Sequence, residues 1–262
     1  MKDVQNRSDD RGIAIQNVGV SEVHLPFLIK TKAGSFQSVL ARINLTVDLP
    51  KEYKGTHMSR FIEILSEWSQ KPVSSREMEF ILADTIQKLD AEYAQMDIEF
   101  KYFIEKTAPV SGLKSMLDID CTFSATLRKD EPLDFTLGVH VPFTSLCPCS
   151  KEISAYGAHN QRGLMKVKIK YQHGKFIWIE DLVTLLENEG SCPVYPLLKR
   201  EDEKFVTEYA YENAKFVEDV LRDLVLSLRQ QPHINWFEIQ CENYESIHNH
   251  SAYARHVETV KS

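Results

Sequence analysis

Apolar and polar residues alternate along several segments of the chain. In the clearest case, from Val39 to Leu49, every second residue is apolar and the residues between them include Arg, Asn, Thr and Asp. An alternation with a period of two predicts a half-buried β-strand. The same criterion predicts strands in both halves of the chain, at residues 23–29, 96–104, 117–127, 132–141, 165–171, 234–241 and 251–256.

Between these strands the spacing of apolar residues becomes helical. One helical stripe extends from Met58 to Trp68, and another follows Ser74 and Glu77, which have the spacing of a capping box. In the second half, helical spacing occurs around residues 182–186 and 216–228. Each half thus has the order strand-strand-helix-helix-strand-strand, which predicts an α+β fold with antiparallel sheets and the helices on one face.

This order predicts the organisation of the chain. We expect a flexible N-terminus over residues 1–20, a first ββααββ unit over 21–129 and a second over 130–262. Because the helices would cover one face of each sheet, the other face needs a partner, and we expect a homo-oligomer.

Composition and charge narrow the possible functions. The 262 residues are 43% hydrophobic and 26% charged, as in an ordinary globular protein. A net charge of -7 argues against nucleic-acid binding, and no apolar run approaches the ~20 residues of a membrane span. The polar N-terminus carries no signal peptide, so we expect a cytoplasmic protein whose five cysteines are reduced.

Two of those cysteines are in a segment that could carry chemistry. Cys147 and Cys149 directly follow a predicted strand and are separated by one proline, and His159 comes twelve positions after Cys147. A thiolate and an imidazole suit zinc, with a carboxylate as a third ligand. A buried structural cysteine in a turn remains the alternative interpretation.

Two acidic groups occur further along the chain. Glu201, Asp202 and Glu203 are in a charged segment whose simplest interpretation is a solvated turn before the last helix. Glu218, on that helix, has the i+4 spacing of a surface ion pair with Arg222.

The segment after the strand at 234–241 combines a carboxylate with histidines. Glu245 continues the inward parity of that strand, and a buried carboxylate needs a partner or a ligand. His248 and His250 are two residues apart, so both would lie on one face of an extended chain. A metal-binding turn or an acid–base pair is predicted here.

Basic residues near predicted helix starts are candidates for phosphate binding. Lys54 and Arg60 flank the start of the first helix, where a phosphate group would be stabilised. Neither a Walker-type nor a Rossmann-type glycine motif is present in the sequence.

Six segments, in order and with consistent spacing, resemble the type IB GTP cyclohydrolases, a prokaryotic family that makes 7,8-dihydroneopterin triphosphate for folate and related pterins. They are LPKEYKGTHMSRF, EKTAPVSG, TSLCPCSKEIS, YGAHNQRG, LLKREDEKFVTE and ENYESIHNHSAYA. The resemblance extends from about residue 20 to the C-terminus. It implies a tunnelling fold (T-fold) of two tandem ββααββ units, assembled as a homotetramer with active sites at subunit interfaces.

The resemblance also implies a metal site. Cys147, His159 and Glu203 match the metal-binding positions, whereas Glu201 is at a position where the family pattern requires no acid. The implied cofactor is a divalent ion, Zn²⁺ or Mn²⁺, and ligand softness favours Zn²⁺.

The remaining implied roles concern GTP. Glu245 would anchor the guanine and His250 would face the substrate, while Glu218 and His248 would transfer protons together with the metal site at Cys147. The triphosphate would contact basic groups drawn from Lys54, Arg60, Arg162 and Arg200. The implied reaction is hydrolysis at C8 of guanine, release of formate and closure to the pterin.

Two other functions are compatible with these residues. A nitrile reductase of the same fold would use Cys147 or Cys149 as a covalent nucleophile with NADPH, and its activity would survive chelation. A non-catalytic protein would bind metal or nucleotide without releasing formate.

Overall fold

A computed structural model describes residues 9–172 and 174–260. In chain order its elements are β1 (Ile15–Lys30), β2 (Phe36–Leu49), α1 (Met58–Trp68), β3 (Pro72–Val73), α2 (Ser75–Leu89), β4 (Tyr93–Thr107), β5 (Lys114–Arg128), β6 (Asp134–Leu146), α3 (Pro148–Ile153), β7 (Asn160–Tyr171), α4 (Ile179–Glu187), β8 (Cys192–Pro193), α5 (Arg200–Glu212), α6 (Val217–Arg229), β9 (Ile234–Asn243) and β10 (Ala252–Thr259).

These elements form two compact units that are not contiguous in sequence. Unit 1 contains the residues up to Lys101 together with Cys121–Leu137, and unit 2 contains Tyr102–Asp120 and the residues from Gly138 onward. The predicted division of the chain into repeats at 129/130 follows the order of elements and stays a prediction.

In unit 1, β2 pairs antiparallel with both β1 and β4, and the two-residue β3 adds a parallel pair at β1. Helix α1 packs against β1, and α2 packs against β2. The capping box predicted for α2 is confirmed, because Glu77 accepts hydrogen bonds from the backbone N–H and the hydroxyl of Ser74. Alternate residues of β2 are buried, as the period of two predicted.

In unit 2, the strand order is β10-β9-β7-β6, and β8 pairs with β6. The β7–β9, β9–β10 and β6–β8 pairs are all antiparallel. Helix α6 packs against β9 and β10 through a stripe of buried aliphatic residues that includes Val220, Leu224 and Leu228. Most of the candidate site residues are in this unit.

The structure corrects two predictions about elements. Strand β1 begins at Ile15, so residues 15–20, predicted to be flexible, are in a strand; residues 1–8 lie outside the described residues. The charged segment around 201–203 is not a solvated turn between elements, because it is helical and begins α5. Helix α5 was missed because only Asp202 and Ala210 of its thirteen residues are fully buried, which leaves too short an apolar stripe to detect.

No helix among the described residues has both the length and the apolar character required to cross a membrane.

Candidate active site

Cys147 lies at the junction of β6 and α3. It is the N-cap of α3, and its Sγ accepts a hydrogen bond from the backbone N–H of Ser150 at 3.4 Å. Pro148 occupies the first helical position, where its fixed φ favours helix initiation and its missing N–H costs nothing. The start of this short helix therefore fixes the position of the Cys147 thiol, which is half-buried, while Cys149 is exposed.

His159 lies next to Cys147 because their backbones are hydrogen-bonded. The N–H of Cys147 donates to the carbonyl of His159 at 3.2 Å. The hydroxyl of Ser150 joins the two, since it donates to the Cys147 carbonyl at 3.1 Å and accepts from the His159 N–H at 3.2 Å. The structure thus places the backbones of two of the three predicted metal ligands next to each other.

The imidazole of His159 is surrounded by oxygen atoms. Its Nδ1 lies 2.9 Å from Oε1 of Gln161 and 4.0 Å from Oε2 of Glu245. The side chains of His159 and Glu245 are 16% and 14% exposed. Glu245 is two residues beyond the end of β9, yet its side chain keeps the inward direction that the strand parity predicted.

A network of three buried polar side chains lies behind His159; we call Ser145, Gln161 and Asn243 the polar network. Amides of Gln161 and Asn243 both donate to the Ser145 hydroxyl, at 3.4 and 2.8 Å. The sequence analysis missed these residues, although the alternation of β6, β7 and β9 places each of them at a buried position. A polar residue at a predicted core position was the available signal.

Gly163 on β7 packs closely against Phe143 and against Asn243 of the polar network. A Cβ atom there would lie 2.5 Å from two ring atoms of Phe143 and 2.7 Å from Oδ1 of Asn243. Only glycine fits this point of β7 without displacing the aromatic ring or the amide.

The acidic segment at the start of α5 divides into one buried and two exposed carboxylates. Asp202 is fully buried and accepts from the N–H groups of Val110 and Ser111, from the Ser111 hydroxyl and from the N–H of Lys199, all at 2.6–2.9 Å. Burial alone would raise the pKa of Asp202, but these hydrogen bonds outweigh it and hold the pKa well below the ordinary range. Asp202 therefore fastens the β4–β5 turn to the start of α5.

Glu201 and Glu203 are exposed on the first turn of α5. Among the described residues, no three Cys, His, Asp or Glu side chains are grouped so that they could hold a metal ion. The predicted set of Cys147, His159 and Glu203 is thus not assembled within one chain. The thiol and imidazole suit a borderline-soft cation such as Zn²⁺, so these two neighbours fit a metal in donor chemistry and need a further donor.

The proposed proton-transfer residues are exposed in the single chain. Glu218 lies in the first turn of α6, and the expected Glu218–Arg222 ion pair is wrong, because Arg222 pairs with Asp219 at 2.9 Å. The start of α6 is nevertheless tied to the residue before Cys147, since the N–H of Lys215 donates to the carbonyl of Leu146 at 3.2 Å.

His248 and His250 lie in an exposed turn after β9, and their rings stack with centroids 5.1 Å apart. The two rings lie side by side, although in a turn and not in the extended chain on which the prediction was based. They lie within five residues of Glu245 on the same turn, which places imidazoles on the segment that carries this carboxylate.

The predicted phosphate-binding residues are distributed over both units. Arg162 lines a cavity of about 230 Å³ together with Thr144, Asn160, Tyr195 and Thr207. Arg200 is the exposed first residue of α5.

Lys54 and Arg60 belong to unit 1, near the start of α1. Arg60 lines a cleft of about 390 Å³, where its guanidinium donates to the carbonyl of Lys88 at 3.0 Å. This bond uses part of its donor capacity within unit 1.

The other three cysteines, Cys121, Cys192 and Cys241, are buried. Burial raises the pKa of the Cys192 thiol to about 11, although Lys106 opposes the shift, and that of Cys241 to about 12. Since thiols are nucleophiles and metal ligands as thiolates, Cys192 and Cys241 are chemically inert in the folded chain.

Comparison of the fold with solved structures identifies proteins of very different sequence. Uricase from Arthrobacter globiformis superposes with a TM-score of 0.58 at 7% identity, covering 93% of each chain. Urate oxidase from Bacillus subtilis 168 gives a TM-score of 0.52 at 7% identity, covering 93% of this chain and 98% of that one. At such low identity the likeness bears on the fold alone, and it confirms the predicted α+β tunnelling fold.

Sequence comparison identifies much nearer relatives. GTP cyclohydrolase FolE2 of Geobacter sp. (strain M21) is 54% identical over 254 residues, which cover 97% of this chain and 93% of that protein. The FolE2 protein of Geotalea uraniireducens (strain Rf4) is 55% identical, with coverage of 97% and 92%. A sequence model of the type I GTP cyclohydrolases folE2 matches residues 1–254. The chain therefore belongs to the type I GTP cyclohydrolase folE2 family.

Proposed function

We propose that this protein is a metal-dependent GTP cyclohydrolase that converts GTP and water to 7,8-dihydroneopterin triphosphate and formate, the first step of folate and pterin biosynthesis. The observation that carries the proposal is identity of 54% to a GTP cyclohydrolase over almost the whole chain. The geometry adds that the His159 imidazole lies 4.0 Å from the Glu245 carboxylate and that the backbones of His159 and Cys147 are hydrogen-bonded to each other.

Glu245 is proposed to anchor the guanine. The Watson–Crick edge of guanine presents two adjacent N–H donors, and a carboxylate accepts two such bonds in parallel. The carboxylate of Glu245 is largely shielded from solvent, so hydrogen bonds to it face little competition from water.

Cys147 and His159 are proposed to hold the catalytic ion. When bound, a divalent ion would lower the pKa of a coordinated water and so supply a nucleophile at neutral pH. Zn²⁺ suits these donors best, and Mn²⁺ is the second candidate. Glu203 remains the proposed third ligand, and it would reach the ion through a rearrangement of the α5 start or from a neighbouring subunit.

Glu218 and His248 are proposed to transfer protons during ring opening, rearrangement of the ribose and closure to the pterin. Both are exposed in the isolated chain, whereas proton transfer at defined atoms requires groups that are held in place and partly shielded from water. A homotetramer with active sites at its subunit interfaces would provide that shielding, and His250 would then face the bound nucleotide.

The triphosphate is proposed to contact Arg162 and Arg200, with Lys54 and Arg60 as further candidates. The cavity at Arg162 also contains Thr144 and Asn160, whose hydroxyl and amide can donate hydrogen bonds to phosphate oxygens. We also propose that the enzyme is of subtype IB and acts in the cytoplasm.

The test is an assay of the purified full chain with GTP and added Zn²⁺ or Mn²⁺, with and without chelator, measuring formate and pterin fluorescence. Cys147→Ala should abolish turnover without changing the circular dichroism spectrum, whereas Cys149→Ala, which removes an exposed thiol, should remain active. Full activity of Cys147→Ala would overturn the assignment. Chelator-resistant oxidation of NADPH with a nitrile substrate would indicate the reductase, and GTP binding without formate the non-catalytic protein.

A further inference from the structure

The tautomer of His159 can be read from its neighbours. Oε1 of Gln161, 2.9 Å from Nδ1 of His159, is an amide oxygen and can only accept a hydrogen bond. The hydrogen of a neutral His159 ring must therefore be on Nδ1, which leaves the lone pair on Nε2.

The Gln161 amide has hydrogen-bond partners at both of its ends. Its Nε2 donates to the Ser145 hydroxyl at 3.4 Å, and its Oε1 accepts a further bond from the Ser246 hydroxyl at 3.4 Å. The opposite amide orientation would require the ring proton on Nε2, whereas the charge of the Glu245 carboxylate, 4.0 Å from Nδ1, favours a proton on Nδ1. The amide oxygen directed at the imidazole is the orientation that agrees with this charge.

The polar network makes this arrangement rigid. Ser145 and Asn243 are 1% and 3% exposed, and Gln161 is 9% exposed, so bulk water has little access to the hydrogen bonds among them. Asn243 donates to Ser145 at 2.8 Å, and its position is fixed in turn by the close approach of Gly163. A ring held by side chains with little freedom of their own is preorganised.

Glu245 supports the same tautomer but does not fix the ring. Its carboxylate oxygen lies 4.0 Å from Nδ1, which favours a proton there by charge but exceeds hydrogen-bond distance. The direct bond from His159 Nδ1 is the one to Gln161.

We infer that Gln161 is a positioning residue, which holds the Nδ1–H of His159 so that Nε2 is presented to a metal ion. This inference rests on the proposed function, because it takes His159 to be a metal ligand. Groups that orient a ligating histidine in this way typically change metal affinity by about 10–100-fold when removed.

The first experiment measures Zn²⁺ affinity of the metal-free full chain by competition with a chromophoric chelator. Gln161→Leu keeps the approximate volume but removes the acceptor, and should weaken binding by about 10–100-fold. Gln161→Glu restores an acceptor and should bind within a few-fold of the wild type. The matched control is Gln240→Leu, at a half-buried glutamine of β9, and it should leave the affinity unchanged.

The second experiment reads the tautomer without metal. In protein labelled with ¹⁵N-histidine at a pH where the imidazoles are neutral, the wild type should show the His159 ring protonated at Nδ1. Gln161→Leu should show a mixed or exchanging ring signal, and Gln161→Glu the wild-type pattern. Thermal unfolding of each metal-free variant confirms that the chain is folded.

Two results would overturn the inference. The first is that Gln161→Leu keeps the wild-type ¹⁵N shifts of the His159 ring. The second is that Gln161→Leu binds Zn²⁺ within twofold of the wild type while His159→Ala binds it weakly. If His159→Ala binds Zn²⁺ like the wild type, the metal site of the proposed function fails instead. The ring spectra then still decide the inference, because they require no metal.

Discussion

Gly163→Ala adds a single methyl group beside Phe143 and the polar network behind His159. The φ of Gly163 is outside the left-handed region, so alanine can adopt the backbone conformation and steric contact is the only obstacle. The added Cβ would lie 2.5 Å from Cε1 and Cζ of Phe143, whereas carbon atoms pack at about 3.5–4.0 Å. The ring would have to move by about 1 Å.

Phe143 has little room for that movement. It is fully buried, and on another side it packs against Gly190, where a Cβ would lie 2.9 Å from Cβ of Phe143. Overpacking of this kind costs roughly 1–3 kcal/mol, and the loss of glycine freedom in the unfolded chain offsets about 0.4–1 kcal/mol. We therefore expect a net destabilisation of about 1–2 kcal/mol.

Urea denaturation of the metal-free protein measures this loss as a lower midpoint at unchanged slope. Phe143→Leu provides the matched background, because a smaller side chain leaves space for the methyl group. In that background Gly163→Ala should cost less than in the wild type, which is a favourable coupling in a double-mutant cycle. An unchanged midpoint, or the same loss in both backgrounds, would refute the packing argument.

Three further predictions concern unit 2. A thiol reagent at neutral pH should modify Cys147 and Cys149 in the folded chain and the three buried cysteines only after unfolding. Rapid modification of all five cysteines in the folded chain would contradict the burial of those three. Asp202→Asn should lower the melting temperature at neutral pH. Because the pKa of Asp202 is depressed in the folded chain, its contribution to stability is complete above the unfolded pKa of about 4 and is lost as pH falls below that value. The melting temperatures of the variant and the wild type should therefore converge at low pH. Equal melting temperatures at neutral pH would contradict the role of Asp202. Lys106→Met should reduce the free energy of unfolding by about 3–5 kcal/mol in urea denaturation, because it leaves the buried carboxylate of Glu187 unpaired. The loss should shrink at lower pH, since burial already raises the pKa of Glu187 against the opposing effect of Lys106, and Lys106→Met combined with Glu187→Leu should recover most of it.

Most strands and the helices α1, α2, α4 and α6 could be predicted because each buries a regular apolar stripe. Strand β2 and helices α1 and α6 are examples, and their periods of 2 and 3.6 residues are visible in the sequence. Helix α5 could not be predicted in this way, because a buried aspartate replaces apolar burial in its first turn. Its stability depends on N–H groups of the β4–β5 turn, some ninety residues earlier, which no local pattern reveals.

The reactive residues of the candidate site could be predicted from the sequence, whereas the buried polar residues that contact them could not. Cys147, His159 and Glu245 stand out by residue type and by resemblance to a family. Ser145 and Gln161 do not, because a polar residue acquires meaning only when the partner on another strand is known. Strand parity marks them as buried, but which of them meet across the sheet depends on the register between strands, which is a tertiary property.

The alternation of β7 places residues with different proposed roles on opposite faces of the strand. Gln161 and Gly163 are on the buried face, whereas Arg162 between them is exposed and lines the cavity. Under the proposed roles, substitutions at Arg162 would change contacts to the triphosphate without disturbing the side chains behind His159. With these roles, substrate preference and metal retention would depend on neighbouring residues on opposite faces of one strand, and could diverge independently among descendants of this chain.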